Sequence, residues 1–495
     1  MGASRLSKSR FQLGLQCPKQ LWLKCHKATL ADPITEQQQH IFDVGNGVGK
    51  LARERFGGGV LVEADHLHAA EALATTERLM ADPPRAIFEA AFQHDGVFVR
   101  PDALVRVVDE WDLYEVKSST KLKPENVSDV AVQVWVLEGA GLKIRRAHLM
   151  HLNNGYVYQG GEYDLARLFT PEDVTDDARA WQAQLPTLVG DMLAMLAGPE
   201  PELPIGKHCD KPYTCGFYGY CHASLPEHPV TALPRVDADL LDSLVAAGIL
   251  GIADVPLHYP GLTPLQRTVI DVVRSGQPRF SGDIERSLAG LEYPIHFLDF
   301  ETFMSALPLY VGTTPYQVIP FQWSDHVLSA HGDLDHREFL FEGTGDPRRP
   351  FVESLLEAAG ERGSVVVYTS YENTQLNSLA ASFPEYADAI GGLQSRIFDL
   401  EKVVKAHVQH PKCCGRTSIK YVLPALVEDL SYDGLAIRDG GTASLRYVRA
   451  VSGELPPDEC AQLYADLRTY CGLDTMAMVR VYEVLSAVAR GESVA

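Results

Sequence analysis

The sequence lacks the long apolar segments that a membrane protein needs. No apolar run among its 495 residues reaches the roughly 18 residues of a membrane-spanning helix. The opening stretch, MGASRLSKSRFQLG, also has no apolar centre of the kind found in secretory signals. We therefore expect a cytoplasmic protein with no membrane partner.

Positive charge is scarce as well. Lys and Arg together number 44 against 65 for Asp and Glu, which gives a formal net charge of −21. This balance argues against indiscriminate binding of polyanions, because affinity for nucleic acids rests largely on Lys and Arg neutralising phosphates. It does not exclude a nuclease, since clustered carboxylates are what catalysis by divalent metal ions needs, and bound cations invert the local sign of the field.

The length predicts several domains, at about 150 residues for each. An apolar content of 46% and a charged content of 22% are typical of soluble globular proteins. Residues 1–225 contain strand-like runs between helical ends and predict an α/β unit. Prolines then mark a linker, and residues 226–290 predict a small helical connector. Residues 291–495 alternate strand-like with helical segments, which predicts a second α/β unit.

Two acids and a lysine follow apolar runs in the stretch RPDALVRVVDEWDLYEVKSS, residues 100–119. Asp102 begins one run, whereas Glu115 and Lys117 end the next, so a hairpin would bring them together. Glu115 and Lys117 occupy alternate positions and share a face of the strand. The two acids can hold Mg²⁺ or Mn²⁺, and the lysine can orient water or stabilise charge on a phosphate. The alternative is a solvated polar hairpin.

These residues resemble the PD-(D/E)xK signature of restriction-endonuclease-like nucleases. The PD pair ends at Asp102, and EVK occupies residues 115–117. Gln133 on the next helix resembles the glutamine of the RecB-type branch, and Glu89 matches an acidic position on its first core strand. The resemblance implies a nuclease domain in which Asp102, Glu115 and Glu89 bind the metal, with Lys117 and Gln133 in the catalytic set.

Two positions depart from the RecB-type pattern. Leu137 stands where an aromatic residue is usual, and Gly49 stands near the expected place of a histidine on an early helix. The surrounding GNGVG predicts a tight helix start, because it lacks the strand and spacing of a phosphate-binding loop. The missing histidine, together with a glutamate in place of an aspartate at Glu372 in the second acidic set below, leaves open a second interpretation, a nucleic-acid-binding or assembly factor in which one nuclease site is degenerate.

The nine cysteines are not expected to form disulfides in a reducing compartment. Cys17 lies early in the first domain, and Cys209, Cys215 and Cys221 lie late in it. Four thiolates can bind zinc or an iron–sulfur cluster, although zinc usually takes closely spaced cysteine pairs. The arrangement resembles the iron–sulfur RecB-family nucleases, including the CRISPR-associated ones and AddB. It implies a 4Fe-4S cluster that ties the first helix to the end of the domain, with Cys25 either packed or a substitute ligand.

A second acidic set lies in the third segment. The stretch HFLDFET predicts a buried strand that presents Asp299 and Glu301 on one side. Glu372 follows another apolar strand, and Tyr470 and Asp474 are one helical turn apart. A solvated or helix-capping role for each acid is the alternative.

The order of these residues resembles the DEDD exonucleases of the RNase H-like superfold. The first acid pair matches Asp299 and Glu301, and the final Y-x₃-D motif matches Tyr470 and Asp474. Glu372 matches the second motif, where aspartate is usual, and Asp399 competes for the same role. The resemblance implies two divalent metal ions held by the acids, Tyr470 orienting water, and Lys420 near the substrate path.

The whole chain thus resembles a bacterial fusion of an iron–sulfur RecB-like nuclease domain, a helical connector and a DEDD-type exonuclease domain. The resemblance implies metal-dependent cleavage of DNA, as single strands or duplex ends, with two active sites. A ribonuclease remains open, because the RNase H-like fold serves both polymers. DNA repair, anti-phage defence and spacer processing in CRISPR adaptation also remain open.

Overall fold

A computed structural model describes residues 5–492, apart from the side chain of His66. The chain divides into two compact units. The first contains the residues up to Ser224 together with Ala306–Gln317, and the second contains Leu225–Ser305 and the residues from Val318 onward. Each unit combines helices with a mixed β-sheet, so the chain is an α/β multidomain protein. None of the described helices combines the length and apolar character needed to cross a bilayer.

The first unit contains two sheets. Its strands are β1 Leu6–Ser7, β2 Val60–Leu61, β3 Ala86–Phe88, β4 Phe92–His94, β5 Val97–Val99, β6 Ala103–Val107, β7 Glu110–Lys117, β8 Ile144–Leu152 and β9 Phe169–Asp173. Six of them form a sheet in the order β2-β3-β6-β7-β8-β9, and three form a sheet in the order β1-β5-β4. In the larger sheet β6 and β7 are antiparallel, whereas β7 and β8 are parallel.

Helices cover these sheets. They are α1 Lys8–Gln16, α2 Pro18–His26, α3 Glu36–Glu54, α4 Ala69–Ala81, α5 Pro124–Gly139, α6 Leu165–Leu168, α7 Thr175–Ala180, α8 Leu185–Ala197 and α9 Tyr218–His222. Helix α5 connects the parallel strands β7 and β8, as such a crossover requires. Its valines join a buried core with residues of the strands, and this packing fixes the helix against the end of β7.

The predicted helix start at GNGVG is wrong. Helix α3 begins at Glu36, where Thr35 and Gln38 form a capping box, and it continues through the glycines to Glu54. A Cβ atom added at Gly45, Gly47 or Gly49 would meet nothing within 4 Å. These glycines therefore lie on an open part of the helix, and the upstream cap, rather than the glycine-rich stretch, decides where it begins.

The second unit is built around a five-stranded mixed sheet. Its strands are β10 Arg279–Phe280, β11 Ile295–Met304, β12 Val318–Leu328, β13 Leu334–Leu340, β14 Ser364–Val367, β15 Ile397–Asp399 and β16 Val408–Gln409. The main sheet has the order β13-β12-β11-β14-β15. Strand β12 is antiparallel to both β11 and β13, β14 is parallel to β11, and β15 is parallel to β14. Strands β10 and β16 form a separate antiparallel pair.

The helices of this unit pack on both faces of the sheet and beyond it. They are α10 Ala238–Ala246, α11 Pro264–Ser275, α12 Ile284–Leu288, α13 Arg348–Ala359, α14 Tyr371–Ser382, α15 Ala387–Gln394, α16 Leu400–His407, α17 Ile419–Leu426, α18 Gly440–Val451 and α19 Pro457–Ala489. Helices α10 and α11 lie in the segment predicted as a connector. They pack around a small apolar core of their own that includes Val230, Leu244 and Ile270.

Strand β11 is buried on both faces. Phe297 belongs to one apolar core together with residues of α19, whereas Leu298 and Phe300 belong to the core on the other side of the sheet. Because successive side chains of a strand point to opposite faces, Asp299 and Glu301 share the face of Phe297. Helix α19 packs against this strand, so the two acids of β11 face the helix that carries Tyr470 and Asp474.

Candidate functional site

The predicted hairpin of the first unit is confirmed. Strands β6 and β7 pair in register with Val107 opposite Glu110, and Val108 in the turn has φ +60°. Asp102 lies directly before β6, and its Oδ2 accepts a hydrogen bond from the backbone nitrogen of Val116 at 2.6 Å. The hairpin therefore brings Asp102 to the end of β7 that carries Glu115 and Lys117.

Glu115 is the centre of a dense polar cluster. Its Oε1 lies 2.7 Å from Nζ of Lys117 and 2.7 Å from Nζ of Lys8. Gln133 donates a hydrogen bond of 2.9 Å to its Oε2. Asp129, one turn before Gln133 on α5, accepts from Lys117 at 2.5 Å and lies 3.9 Å from Lys8. Both oxygens of Glu115 thus have partners within the unit.

The acids of this cluster differ in their proton affinity. Burial alone would raise the pKa of Glu115, but the ammonium groups of Lys117 and Lys8 hold this pKa well below its ordinary value. Burial, with the neighbouring Glu115, raises the pKa of Asp102 to about 7. Burial likewise raises the pKa of Asp129. Glu115 is therefore ionised at neutral pH, whereas Asp102 is poised to gain or lose a proton.

Glu89 lies beside this cluster but has its own cationic partners. It follows β3 with φ +55°, and its backbone nitrogen donates to the Asp102 carbonyl at 3.4 Å. Its carboxylate oxygens lie 3.8 Å from Arg53 and 3.6 Å from Arg100. The structure therefore places Glu89 next to Asp102 with its carboxylate between two guanidinium groups.

The four predicted cysteine ligands line one cavity. Cys17 precedes α2, and its Sγ accepts from the backbone nitrogen of Gln20 at 3.4 Å. Burial, followed by the three neighbouring thiols, raises the pKa of Cys215 to about 11. Cys25 does not line this cavity and packs against the main apolar core of the unit.

Hydrogen bonds join the N-terminal helices to the end of the unit around these cysteines. The side-chain amide of Gln16 donates to the carbonyls of His208 at 2.8 Å and Tyr213 at 2.7 Å. The indole of Trp22 donates to the Gly198 carbonyl at 3.0 Å. The early cysteine is thereby brought to the late ones, as the sequence predicts.

In the second unit, the predicted acids meet in one cavity. Its volume is about 390 Å³, and Asp299, Glu301, Glu372, Tyr470 and Asp474 all line it. Glu301, Glu372 and Asp474 are each at most 9% exposed. Strand β11, the first turn of α14 and the middle of α19 supply them. Residues more than a hundred positions apart thus form one acidic site.

Few donors satisfy these carboxylates. Tyr432 donates a hydrogen bond of 2.5 Å to Oδ1 of Asp474, and the Tyr470 hydroxyl is a second partner. Asp299 and Glu372 share a hydrogen bond. Oε2 of Glu372 is buried and has no hydrogen-bond partner in the described part of the chain. This oxygen is an unused acceptor at the wall of the cavity.

Burial raises the pKa of every acid in this set, and repulsion by neighbouring carboxylates adds to the rise for Asp299 and Glu301. Burial raises the pKa of Glu372 to about 7 and that of Asp474 to about 6. The pKa values of Asp299 and Glu301 rise well above the ordinary range, because both are buried and both face Asp474. Without a cation, these acids therefore retain protons near neutral pH, because the surroundings do not compensate the charge of the ionised set.

Among the described residues that line the cavity, Lys420 is the only one with a basic side chain. Its ammonium group lies 5.3 Å from the ring centre of Tyr470 and 5.7 Å from that of Tyr432. It also donates to the Arg438 carbonyl at 3.0 Å. One ammonium thus faces the four predicted acids and Glu401, which has its own partner in Lys405 at 2.7 Å.

Asp399 takes a different position from its competitor Glu372. It ends β15 and caps α16, where its Oδ1 accepts from the backbone nitrogen of Lys402 at 3.2 Å. Asp399 does not line the acidic cavity, whereas Glu372 does. The structure therefore groups Glu372, and not Asp399, with the other acids.

Three residues of these sites did not emerge from the sequence. They are Lys8, Tyr432 and Cys471, whose sulfur lies within 4.8 Å of a carboxylate oxygen of both Asp299 and Glu301. Lys8 lies in the basic stretch SKSR, and Tyr432 lies in a loop after α17. Neither has a motif spacing to the acids it contacts. Cys471 adjoins Tyr470, and that adjacency is the one signal that could have identified it.

Comparisons with known proteins give a match to a domain family and a match to a protein of similar sequence. Residues 296–418 match a family described as a domain of unknown function, DUF2779. The chain is also 25% identical over 206 residues to the uncharacterized protein MG366 homolog of Mycoplasma pneumoniae. That alignment covers 37% of this chain and 31% of the Mycoplasma protein, so the matched region spans less than a third of that relative. The DUF2779 match includes β11 and α14, which carry Asp299, Glu301 and Glu372.

Proposed function

We propose that this protein is a metal-dependent phosphodiester hydrolase that acts on DNA, with the acidic cavity of the second unit as its principal active site. The observation that carries the proposal is the meeting of Asp299 with three buried acids, Glu301, Glu372 and Asp474, in one described cavity whose lining has a single basic residue. Burying unpaired carboxylates is costly, and the cost falls when a cation binds between them. The unpartnered oxygen of Glu372 offers a further ligand atom.

The donor set suits a hard divalent cation. Asp299, Glu301, Glu372 and Asp474 supply carboxylate oxygens, which are the ligands preferred by Mg²⁺ and Mn²⁺. When bound, such ions supply the charge that activates water for in-line attack on phosphorus and stabilises the leaving 3′ oxygen. The four acids would hold the ions through their oxygens.

The aromatic and basic residues of the cavity have supporting roles. Burial holds the pKa of Tyr470 far above its ordinary value, so its hydroxyl is neutral and acts as a hydrogen-bond partner and not as a base. It can orient a water molecule beside Asp474. Lys420 places a positive charge at the cavity wall, where it can contact a phosphate of the substrate.

The strand order supports an exonuclease of the DEDD type. Three antiparallel strands followed by two strands parallel to the first, in the order β13-β12-β11-β14-β15, agree with the RNase H-like topology that the sequence resemblance implies. The first acid pair on the central strand β11 and the final pair on α19 also agree with it. We therefore infer removal of nucleotides from 3′ ends as the activity of this unit.

We propose a RecB-like PD-(D/E)xK nuclease domain for the first unit. The clustering of Asp102, Glu115, Lys117 and Gln133 at the end of β7 supports this assignment. Glu89 beside Asp102 remains the candidate third ligand.

We also propose a 4Fe-4S cluster on Cys17, Cys209, Cys215 and Cys221. The four thiols share one cavity, and the backbone nitrogens of Gln20 and Phe217 donate to two of the sulfurs, as cluster ligands commonly accept. Zinc is the alternative occupant.

Cleavage of end-labelled DNA tests the two active sites. Single- and double-stranded substrates are incubated with Mn²⁺ and anaerobically purified native protein, Glu115→Gln, Asp299→Asn or the double variant. We expect Asp299→Asn to reduce release from 3′ ends by about 10³-fold or more, because a metal ligand contributes several kcal/mol to the transition state. Glu115→Gln should remove a different set of products.

Asp399→Asn is the matched control for the second unit. Asparagine keeps the helix cap at this position, so the variant should cleave as the native protein does. Native cleavage by Asp299→Asn would contradict the proposed site. Unchanged cleavage by Glu115→Gln would identify the first unit as a degenerate, binding domain, and cleavage of labelled RNA alone would identify a ribonuclease.

A further inference from the structure

Lys8 is the feature of the first unit that its proposed nuclease role leaves unexplained. It is the first residue of α1, and its side chain is 21% exposed. Its Nζ lies 2.7 Å from Glu115 Oε1 and 3.9 Å from Asp129 Oδ2. Lys117 already contacts both of these acids, so the lysine from α1 is a second ammonium group at the same pair of carboxylates.

This second ammonium completes a charge balance around the hairpin end. The acids and bases are equal in number, four of each, and are Asp102, Glu115, Asp129 and Glu89 against Lys8, Lys117, Arg53 and Arg100. The acidic cavity of the second unit is lined by five carboxylates, including Glu401, and by one basic residue, Lys420. With every group ionised, the charges of the first site would balance, whereas those of the second would not.

Ion pairing also occupies the atoms that a divalent cation would need. Oε1 of Glu115 contacts two ammonium groups, and Oε2 accepts from Gln133. A cation at Glu115 would meet the positive charge of Lys8 at contact distance, and that repulsion is strong where water is partly excluded. Lys117 is part of the PD-(D/E)xK signature that the site resembles, whereas Lys8 is not. Of the two ammonium groups at Glu115, that of Lys8 is therefore the one that a metal ion can displace.

We propose that Lys8 is the resident cation of the first site, so that a divalent cation binds to Glu115 and Asp102 only by displacing the Lys8 ammonium group. The inference rests on the proposed function, which assigns Asp102 and Glu115 as metal ligands. It makes Lys8 a residue that sets metal affinity. The first site then requires more Mn²⁺ than the second to become loaded.

Binding of Mn²⁺ tests the proposal directly. The experiment uses the full chain with its cysteine-bound cofactor intact and with Asp299→Asn and Glu301→Gln introduced to silence the second site. Mn²⁺ binding to this parent is measured by electron paramagnetic resonance of the free ion. Lys8→Met, which keeps the length and loses the charge, should bind Mn²⁺ at least about tenfold more tightly than the parent.

Three variants locate the effect. Lys8→Arg keeps the positive charge and should bind Mn²⁺ as weakly as the parent. Lys50→Met replaces an exposed lysine on α3 of the same unit and should also match the parent. Asp102→Asn added to Lys8→Met should abolish the gained affinity, because it removes a ligand of the same site.

Thermal unfolding provides a second test in case Lys8→Met is less stable than the parent. An ion that binds the folded state alone raises the unfolding midpoint. If Lys8→Met folds only marginally, Mn²⁺ should raise its midpoint and leave that of the parent unchanged, which supports the proposal. Equal Mn²⁺ effects on both proteins would overturn it.

Failure of this inference can be told apart from failure of the proposed function. Equal affinities in the parent and Lys8→Met, both lost with Asp102→Asn, would leave the metal site in place and exclude Lys8 as its competitor. Binding that is insensitive to Asp102→Asn would exclude both the metal site and the inference. DNA cleavage does not enter either result.

Discussion

The two acidic clusters of this protein use the same residue types and reach opposite electrostatic states. In the first unit, Glu115 lies against two lysines and a glutamine amide, and its pKa is held below the ordinary value. In the second, Glu372 and Asp474 have pKa values raised to about 7 and about 6, because burial is not offset by bases. Carboxylates alone do not define a cation site; the bases around them decide how strongly the site attracts a cation.

The difference has a physical consequence for folding. A buried carboxylate stays ionised when ammonium groups pair with it and further hydrogen bonds satisfy its remaining lone pairs, as Gln133 does for Glu115. Carboxylates that are buried together instead retain protons near neutral pH, or bind a cation. We therefore expect the second unit to respond to pH and to divalent ions more strongly than the first.

The largest expected effect concerns the cysteine-lined cavity of the first unit. Replacing Cys215 by Ser removes one of four cofactor ligands, and structural metal sites contribute directly to folding free energy. We expect Cys215→Ser to lose the cooperative calorimetric transition of the first unit and to keep that of the second. Iron, sulfide and zinc analysis identifies the cofactor in parallel.

Cys25→Ser is the matched control for this substitution. Cys25 lies in the same unit but outside the cavity, so its replacement should retain both transitions and the full cofactor content. An intact first transition in cofactor-free Cys215→Ser would show that the cofactor does not hold this unit together.

The next effect is the pH dependence of the second unit without metal ions. The pKa values of Glu372 and Asp474 rise on folding, from 4.5 to about 7 and from 3.8 to about 6. Their stabilising contribution is therefore complete below the unfolded values and is lost as pH rises through 6 and 7. We expect the free energy of unfolding to fall by on the order of 3 kcal/mol between pH 5 and pH 8. Calorimetric scans across this range measure it.

Two comparisons sharpen this prediction. Glu372→Gln removes one of the titrating groups and should reduce the loss of stability at pH 8, and Mn²⁺ should reverse the loss in the native protein only. In the first unit, Glu115 is ionised in both the folded and the unfolded state above pH 5, so its lowered pKa has no effect in this range. Asp102, with its pKa raised to about 7, stands there in place of the pair Glu372 and Asp474, so the loss of stability of the first unit should be smaller. Equal pH dependence of the two transitions would contradict the electrostatic contrast between the units.

The smallest effect concerns Tyr432, whose hydroxyl donates to Asp474 at 2.5 Å. Tyr432→Phe removes this donor, and a single hydrogen bond to a charged group contributes roughly 1.5–3 kcal/mol at most. Since the donor lowers the pKa of Asp474, its loss should shift the acidic limb of the rate profile to higher pH. Tyr421→Phe changes an exposed tyrosine on α17 and should leave the profile unchanged. A profile that is unaffected by Tyr432→Phe would remove Tyr432 from the site.

Local patterns account for much of what was predictable. The apolar runs on either side of VVDEW predict the β6–β7 hairpin, which forms. The alternation in HFLDFET places Asp299 and Glu301 on one face, as found. The failure at GNGVG has a local cause too, because the capping residues Thr35 and Gln38 lie upstream of the glycines and already provide the helix start.

The choice between Glu372 and Asp399 needed the fold. Both follow apolar strands, and both lie at the first turn of a helix or just before it. Only the packing of α14 and α16 around the sheet decides that Glu372 reaches the cavity while Asp399 caps its own helix.

By itself, the sequence determined the residue types at both sites and the short-range geometry within each element. Strand alternation and the helical turn fix the pairs Asp299 with Glu301 and Tyr470 with Asp474, because these periods act over a few residues. The tertiary structure decided the charge balance. Lys8 and Glu115 are 107 positions apart in the chain, and only the packing of α1 against the sheet brings an ammonium group to that carboxylate and leaves the second cavity without its equivalent.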